Sequence, residues 1–212
     1  MIQVLKFTFN PFQENTYLIY DETNECVVFD PGCQTSKEKQ TLTDVIADLN
    51  LKPVILVNTH CHIDHVFGNK FMMETYGLEL AIHKGELPVL QSVEMVGRMY
   101  NIPVEPSPMP SVFLEEGDEL KFGNSSLQIF LTPGHSPASL SFYSAADQFV
   151  IAGDVLFREG IGRTDLPGGD FTTLIKSIKT KLFTLEDGVK IYSGHGPETT
   201  IGHEKANNVF LK

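Results

Sequence analysis

The chain has 212 residues, of which 42% are hydrophobic, and its formal net charge is −11. A chain of this size can bury a substantial core, and its length fits one large domain better than two small ones. The acidic charge argues against a nucleic-acid-binding surface, and no apolar run reaches membrane-spanning length, so we expect neither kind of partner. Because the N-terminus has no signal-peptide pattern, the expected location is the cytoplasm.

Apolar periodicity predicts a β-meander, a group of helices, a second β-meander and a further helix. The predicted strands are 2–9, 16–20, 26–29, 54–57, 79–82, 112–114, 119–122, 127–131, 139–143, 149–152 and 189–192. The predicted helices are 41–49, 66–76, 86–99, 171–183 and 203–210. Two sheets packed face to face, with helices on the outer faces, account for this order. The predicted fold class is therefore α+β, a four-layer αββα sandwich.

Three histidines and one aspartate follow the strand 54–57 within six positions: His60, His62, Asp64 and His65. Imidazole and carboxylate groups are costly to bury without partners, so packing alone does not require them there. In an extended segment His60 and His62 can face one cation, and Asp64 and His65 can then turn towards a second.

Three further strand ends each deliver a residue of the same chemical type, beside a glycine: His135, Asp154 and His195. We expect two divalent metal ions, with zinc as the expected metal and iron or manganese as alternatives. The first site would take His60, His62 and His135, and the second Asp64, His65 and His195. Asp154 could bridge both ions. The ions would lower the pKa of a bound water and polarise a substrate carbonyl.

The remaining cysteines and histidines are interpreted structurally. Cys26, Cys33 and Cys61 form an odd set without a C-x-x-C pair, which predicts no disulfide framework, and we expect the Cys61 side chain to point away from the neighbouring ligands. His83 and His203 are interpreted as capping or packing residues rather than ligands.

The motifs at these positions resemble the metallo-β-lactamase superfamily, and most closely its short, single-domain glyoxalase II-like (hydroxyacylglutathione hydrolase-like) members. The matching segments are 59–65, 132–136, 153–157, 160–165, 193–197 and 200–204. The resemblance implies the αββα fold, the seven metal ligands and hydrolysis of S-acyl thiols such as S-lactoylglutathione by a metal-bound hydroxide that Asp64 orients. It also implies that Arg163 binds substrate, and the alternative is an ion pair of Arg163 with Asp165 or Asp170.

Two differences from two-domain glyoxalase II enzymes bear on the carrier thiol. We interpret residues 1–212 as one hydrolase domain without a C-terminal helical glutathione-binding domain, and Asp165 stands where those enzymes carry a tyrosine. Two alternatives remain open: a lactonase or other ester hydrolase, and a mononuclear-iron persulfide dioxygenase using His60, His135 and Asp154. A non-enzymatic binding module fits less well with open coordination positions. We expect a small-molecule acyl-thiol substrate and a monomer or homodimer.

Overall fold

The computed structural model describes residues 1–212, which divide into two compact units. The first unit comprises residues 1–113 and 121–125, and the second comprises residues 114–120 and 126–212. One six-stranded sheet lies in the first unit, and the other lies mainly in the second. No helix is long and apolar enough to cross a membrane.

The first sheet has its strands in sequence order. They are β1 (Gln3–Phe9), β2 (Glu14–Tyr20), β3 (Glu25–Phe29), β4 (Lys52–Val57), β5 (Leu80–Ile82) and β6 (Val112–Phe113). The first three strands are antiparallel, and β3 to β6 are parallel. Helices occur in all three parallel crossovers, so the carboxyl ends of β3, β4 and β5 lie at one edge of the sheet.

Four helices belong to the first unit: α1 (Ser36–Asp48), α2 (Ile63–Val66), α3 (Asn69–Tyr76) and α4 (Leu87–Tyr100). Helix α1 begins earlier than predicted because Thr35 and Glu38 form a capping box at its N-terminus. The helix predicted over 66–76 is two helices, and the first of them starts at Ile63. Asp64 and His65 therefore lie in a helical turn.

The strands of the second sheet are β7 (Glu119–Phe122), β8 (Ser125–Leu131), β9 (Leu140–Ser144), β10 (Phe149–Gly153), β13 (Lys190–Ser193) and β14 (Thr199–Thr200). Their order in the sheet is β14-β13-β10-β9-β8-β7. A small hairpin that was not predicted joins β11 (Leu156–Phe157) to β12 (Gly160–Ile161). Helix α5 (Phe171–Thr180) is shorter than predicted, and α6 (Ile201–Asn207) begins two residues before the predicted start.

Each unit has its own apolar cluster, which holds the strands whose ends carry the polar residues. In the first unit Leu18, Val28 and Leu56 are fully buried members of the cluster. In the second unit Val150 and Ile191, on adjacent strands, are equally inaccessible. Burial of one such side chain contributes roughly 2 kcal/mol. The strand ends are therefore fixed by packing.

Candidate metal centre

In the first unit, a buried amide pair holds α2 against the end of β4. Asn58 follows β4, and its Nδ2 donates to the backbone oxygen of His65 at 3.1 Å. Asn69, at the start of α3, donates from its own Nδ2 to Asn58 Oδ1 at 2.7 Å. The chain consequently turns back on itself, and the ring centroids of His60 and His65 are 4.1 Å apart.

The four predicted residues of this segment lie together. His60 and His65 are fully inaccessible to solvent, and Asp64 is 8% exposed. His62 is partly exposed, with its ring edge-on to that of His60 at a centroid distance of 4.8 Å. The Nε2 atom of His65 is 3.8 Å from Asp64 Oδ2. The segment therefore concentrates imidazole nitrogens and one carboxylate at a single strand end.

Asp30, at the end of β3, was not among the residues singled out from the sequence. Its Oδ1 accepts from the Thr59 backbone amide at 2.7 Å, and its Oδ2 accepts from the Thr59 hydroxyl at 2.6 Å. Oδ2 also lies 3.2 Å from His65 Nδ1. A carboxylate on the second ring nitrogen is the usual partner of a metal-binding histidine, because it fixes the tautomer and the ring orientation.

Glu14, on β2, is a second carboxyl group that the sequence analysis did not single out. It is fully buried, its Oε2 accepts from the Thr16 hydroxyl at 3.0 Å, and its Oε1 is 3.9 Å from His65 Nδ1. Burial raises the pKa of Glu14 well above its ordinary value, against the opposing effect of His65. Two carboxyl groups thus approach the same nitrogen of His65.

In the second unit, the parallel pairing of β10 and β13 brings Asp154 and His195 to one edge. Gly153 pairs with Ser193, the last residues of the two strands. The Gly194 amide donates to the Gly153 oxygen at 2.8 Å, which continues the pairing past the strand ends. Carboxyl ends of parallel neighbours meet at the same sheet edge, so these two predicted residues become adjacent.

Asp154 lies between two imidazoles of the second unit. Its Oδ2 is 3.5 Å from His135 Nε2 and 3.4 Å from His195 Nε2. His135 Nδ1 lies 2.7 Å from the backbone oxygen of Arg163. Since a carbonyl oxygen only accepts, Nδ1 carries a proton, and Nε2 is the ring nitrogen that faces Asp154. A histidine held in this orientation would bind a metal through Nε2.

The β11–β12 hairpin and the residues after it pack closely on these side chains. The Phe157 ring lies edge-on to the His195 ring at a centroid distance of 6.1 Å. A Cβ atom on Gly162 would lie 1.9 Å from the Asp154 backbone oxygen and 2.9 Å from His135 Nδ1. Position 162 therefore admits only glycine without movement of the backbone.

The Arg163 side chain is exposed and paired with Asp165. Its Nε and Nη2 atoms donate to the two carboxylate oxygens, each at 2.7 Å. Hydrogen bonds from Arg163 lower the pKa of Asp165 to about 2. Asp170 instead caps α5 by accepting from the Thr173 amide. Of the two ion pairs considered from the sequence, the structure contains the one with Asp165.

Cys61, His83 and His203, which were not predicted to be ligands, lie in the apolar core or in helical elements. Cys61 is buried in the apolar cluster of the first unit, and burial, reinforced by Glu86, raises the pKa of its thiol well above the ordinary value. His83 caps a 3-10 turn by accepting from the Gly85 amide at 3.0 Å, as predicted. His203 lies within α6, which Thr200 caps.

The donor set fits divalent metal ions. Buried imidazole nitrogens and carboxylates suit zinc, iron and manganese, and metal-binding histidines require a partner on the second ring nitrogen. His65 has such a partner in Asp30, and His135 has one in the Arg163 carbonyl oxygen. Two histidines are thus pre-oriented in the manner of ligands.

Comparison with known proteins gives the class of the chain. A sequence model described as "Metallo-beta-lactamase superfamily" matches residues 9–195. The chain is 39% identical over 202 residues to "Probable metallo-hydrolase YqgX" of Bacillus subtilis (strain 168), covering 95% of this chain and 93% of that protein. It is 37% identical over 202 residues to "Hydroxyacylglutathione hydrolase GloC" of Haemophilus influenzae, covering 94% and 93%.

Solved structures resemble it along nearly its whole length. BLEG-1, described as a B3 metallo-β-lactamase, has a TM-score of 0.90 and 34% identity, with all of both chains covered. TTHA1623, solved in a di-iron-bound form, has a TM-score of 0.89 and 36% identity over 98% of this chain and 100% of that one. ETHE1 from Myxococcus xanthus has a TM-score of 0.79 and 27% identity over 98% of this chain and 83% of that one.

The chain belongs to the metallo-β-lactamase superfamily. It is a metallo-hydrolase with the metallo-β-lactamase fold, a class that binds divalent metals, typically two. The α+β fold class and the family expected from the sequence are confirmed. The seven ligands, the metal and the substrate stay predictions.

Proposed function

We propose that the protein is a dinuclear metal-dependent thioesterase that hydrolyses S-acyl thiols such as S-lactoylglutathione. The observation that carries the proposal is the position of Asp154, whose Oδ2 faces the Nε2 atoms of two histidines. A carboxylate that lies between two imidazole Nε2 atoms, one of them on a ring that the Arg163 carbonyl oxygen orients, is suited to join two ions. The similarity to a hydroxyacylglutathione hydrolase supports the choice of substrate class.

The proposed ligands fall into two groups joined by Asp154. As expected from the sequence, the first metal would take His60, His62 and His135, and the second would take Asp64, His65 and His195. When bound, a pair of such ions lowers the pKa of a water and polarises the carbonyl of an acyl-thiol. No nucleophile from the protein is needed in this scheme.

The protein's own residues hold this arrangement. The Asn10 side chain donates to the Asp64 backbone oxygen at 3.0 Å and so holds the main chain of the residue whose carboxylate we propose orients the attacking water. The Arg163 carbonyl oxygen accepts from His135 Nδ1, so Nε2 is the ring nitrogen that would bind the metal. Arg163 is the proposed binding residue for an anionic carrier thiol, and Asp165 competes with the substrate for its guanidinium.

Two observations support an iron enzyme as the alternative. TTHA1623 was solved with two irons, and ETHE1 is a structural relative of this chain. A mononuclear-iron persulfide dioxygenase would use His60, His135 and Asp154 and leave Asp64, His65 and His195 without a metal. The burial of His65 between two carboxyl groups favours a second metal over that alternative.

The test is thiol release from S-D-lactoylglutathione by protein loaded in turn with zinc, iron and manganese, with and without a chelator. Metal content is measured on the same samples, and persulfide-dependent oxygen uptake and nitrocefin hydrolysis are run in parallel. Chelator-sensitive thiol release with two metals per chain is the expected result. One iron per chain with oxygen uptake, or lactam hydrolysis without thiol release, would overturn the proposal.

A further inference from the structure

Helix α6 is tied to the β11–β12 hairpin by a buried carboxylate. Glu204 is fully buried, and its Oε2 accepts from the Glu159 backbone amide, in the turn of the hairpin, at 2.9 Å. The same oxygen accepts from Asn208 Nδ2 at 2.8 Å. Asn208 is also fully buried, and its Nδ2 donates to the Gly160 backbone oxygen at 3.0 Å. One acid and one amide thus hold both sides of the turn.

The carboxylate is supported on its other side as well. Glu204 Oε1 accepts from the Thr199 hydroxyl, and the Asn208 amide donates to the Glu204 backbone oxygen. A buried carboxylate is costly unless hydrogen bonds satisfy it, and an apolar residue could pack α6 without that cost. The arrangement indicates that the position of the hairpin matters beyond simple packing.

The segment that α6 holds contacts each proposed ligand of the second unit. Phe157, in β11, packs edge-on against the His195 ring. Gly162, directly after β12, lies against the Asp154 backbone oxygen. The Arg163 carbonyl oxygen holds His135 Nδ1. A shift of this hairpin would therefore move the support of all three side chains together.

We infer that Glu204 and Asn208 are positioning residues for the metal centre, acting through the β11–β12 hairpin on His135, Asp154 and His195. The inference rests on the proposed function, because it assumes that these three residues bind metal. Residues that orient a ligand from outside the coordination sphere typically change metal affinity by about 10–100-fold when they are removed. We assign an effect of that size to the carboxylate of Glu204.

The experiment compares Glu204→Ala, Glu204→Gln and Asn208→Ala with the wild-type chain. Metal dissociation constants are measured by competition with a chromophoric chelator, using zinc alone and manganese alone as probes. The thermal unfolding of each metal-free protein is recorded separately. Lys205→Met is the matched control, because Lys205 lies on α6 but contacts Leu185 and Asp187 instead of the hairpin.

We expect Glu204→Ala to weaken at least one metal site about 10–100-fold, and Asn208→Ala to weaken it in the same direction. Glu204→Gln should retain affinity to within about threefold, because its amide oxygen can accept from Glu159 while its NH₂ donates to the Thr199 oxygen. Lys205→Met should leave metal affinity unchanged. If Glu204→Ala does not fold, the metal affinities of Asn208→Ala and Glu204→Gln test whether the two residues position the metal centre.

The inference and the proposed function fail in different ways. Unchanged metal affinity in Glu204→Ala and Asn208→Ala, with only a lower unfolding temperature, would reduce both residues to structural roles and leave the dinuclear proposal intact. A wild-type chain that binds neither zinc nor manganese would overturn both. Equal losses in Glu204→Gln and Glu204→Ala would contradict the hydrogen-bonding argument.

Discussion

The backbone oxygen of Arg163 lies 2.7 Å from Nδ1 of His135, so an arginine whose side chain faces solvent orients a buried imidazole through its main chain. The side chain and the backbone of this one residue therefore have separate roles. They are separable by mutation, because replacing the side chain leaves the carbonyl in place.

Arg163→Ala should leave metal content unchanged and raise KM for S-lactoylglutathione by a factor of about 1.4 to 5, with kcat little affected. The size follows from the energy of an exposed charge pair, which is about 0.2–1 kcal/mol. Steady-state kinetics and metal analysis of the purified variant check this. Loss of metal would show that the side chain supports the centre, and an unchanged KM would remove Arg163 from the binding site.

Gly162→Ala should lower metal affinity at least tenfold, because the new Cβ atom would collide with the Asp154 backbone oxygen. Gly160→Ala is the matched control in the same hairpin, since its nearest neighbour would be 3.7 Å away. The check is a chelator-competition titration of both variants. Equal affinities in the two would contradict the close packing at position 162.

Asp154→Ala should abolish thiol release and lower metal content together, because the carboxylate faces two proposed ligands. The expected loss of metal affinity exceeds the roughly 10–100-fold loss that is typical when a residue outside the coordination sphere is replaced. His83→Ala is the control, as its imidazole caps a 3-10 turn. Full metal content in Asp154→Ala would remove this residue from the ligand set.

Asp21 should stabilise the fold in a pH-dependent way. Its carboxylate is 1% exposed, and although burial alone would raise its pKa, hydrogen bonds from Thr23, Ser125 and Asn124 lower it to about 2. The native state therefore favours the ionised form. The contribution, roughly 2 kcal/mol by that shift, is present above the unfolded-state pKa of about 3.9 and is lost as the pH falls towards 2.

Asp21→Asn should therefore lower the free energy of unfolding by about 1–2 kcal/mol at pH 7 and by much less near pH 2.5. Denaturant unfolding at several pH values measures the difference. Asp44→Asn, at an exposed helix position, should change stability little at any pH. A pH-independent difference for Asp21→Asn would contradict the lowered pKa.

The three thiols should be unreactive in the native protein. Cys26, Cys33 and Cys61 are fully buried, and burial raises the pKa of Cys26 and Cys33 to about 12. A colorimetric thiol reagent should therefore label none of them before denaturation and three afterwards. Rapid labelling of one native thiol would show local opening of the first unit.

The predicted ligand positions depended on local information, whereas their supporting residues did not. His60, Asp154 and His195 follow apolar strands directly, so each could be found from a strand end and its neighbours. Asp30 is recognisable only through the parallel pairing of β3 with β4, where Phe29 lies opposite Val57. That pairing joins segments separated by a helix, and no local pattern reveals it.

The hairpin was missed for a different reason. Strands β11 and β12 have two residues each, which is too short for apolar alternation to be visible. The start of α2 was also misplaced, because a four-residue helix inside a polar segment has no periodic apolar face. The sequence therefore predicted the types of polar residue at the strand ends better than it predicted the short strands and the short helix near them.

The separate roles of the main chain and the side chain of Arg163 have a consequence for how substrate selectivity can change during evolution. The main chain at positions 162 and 163 supports the proposed metal ligands, whereas the side chains of Arg163 and Asp165 are exposed. Substitutions at these two exposed positions can alter the charge offered to the proposed carrier thiol, while the backbone that supports the proposed ligands stays the same. Substrate selectivity can therefore change by single substitutions that leave the proposed metal centre intact.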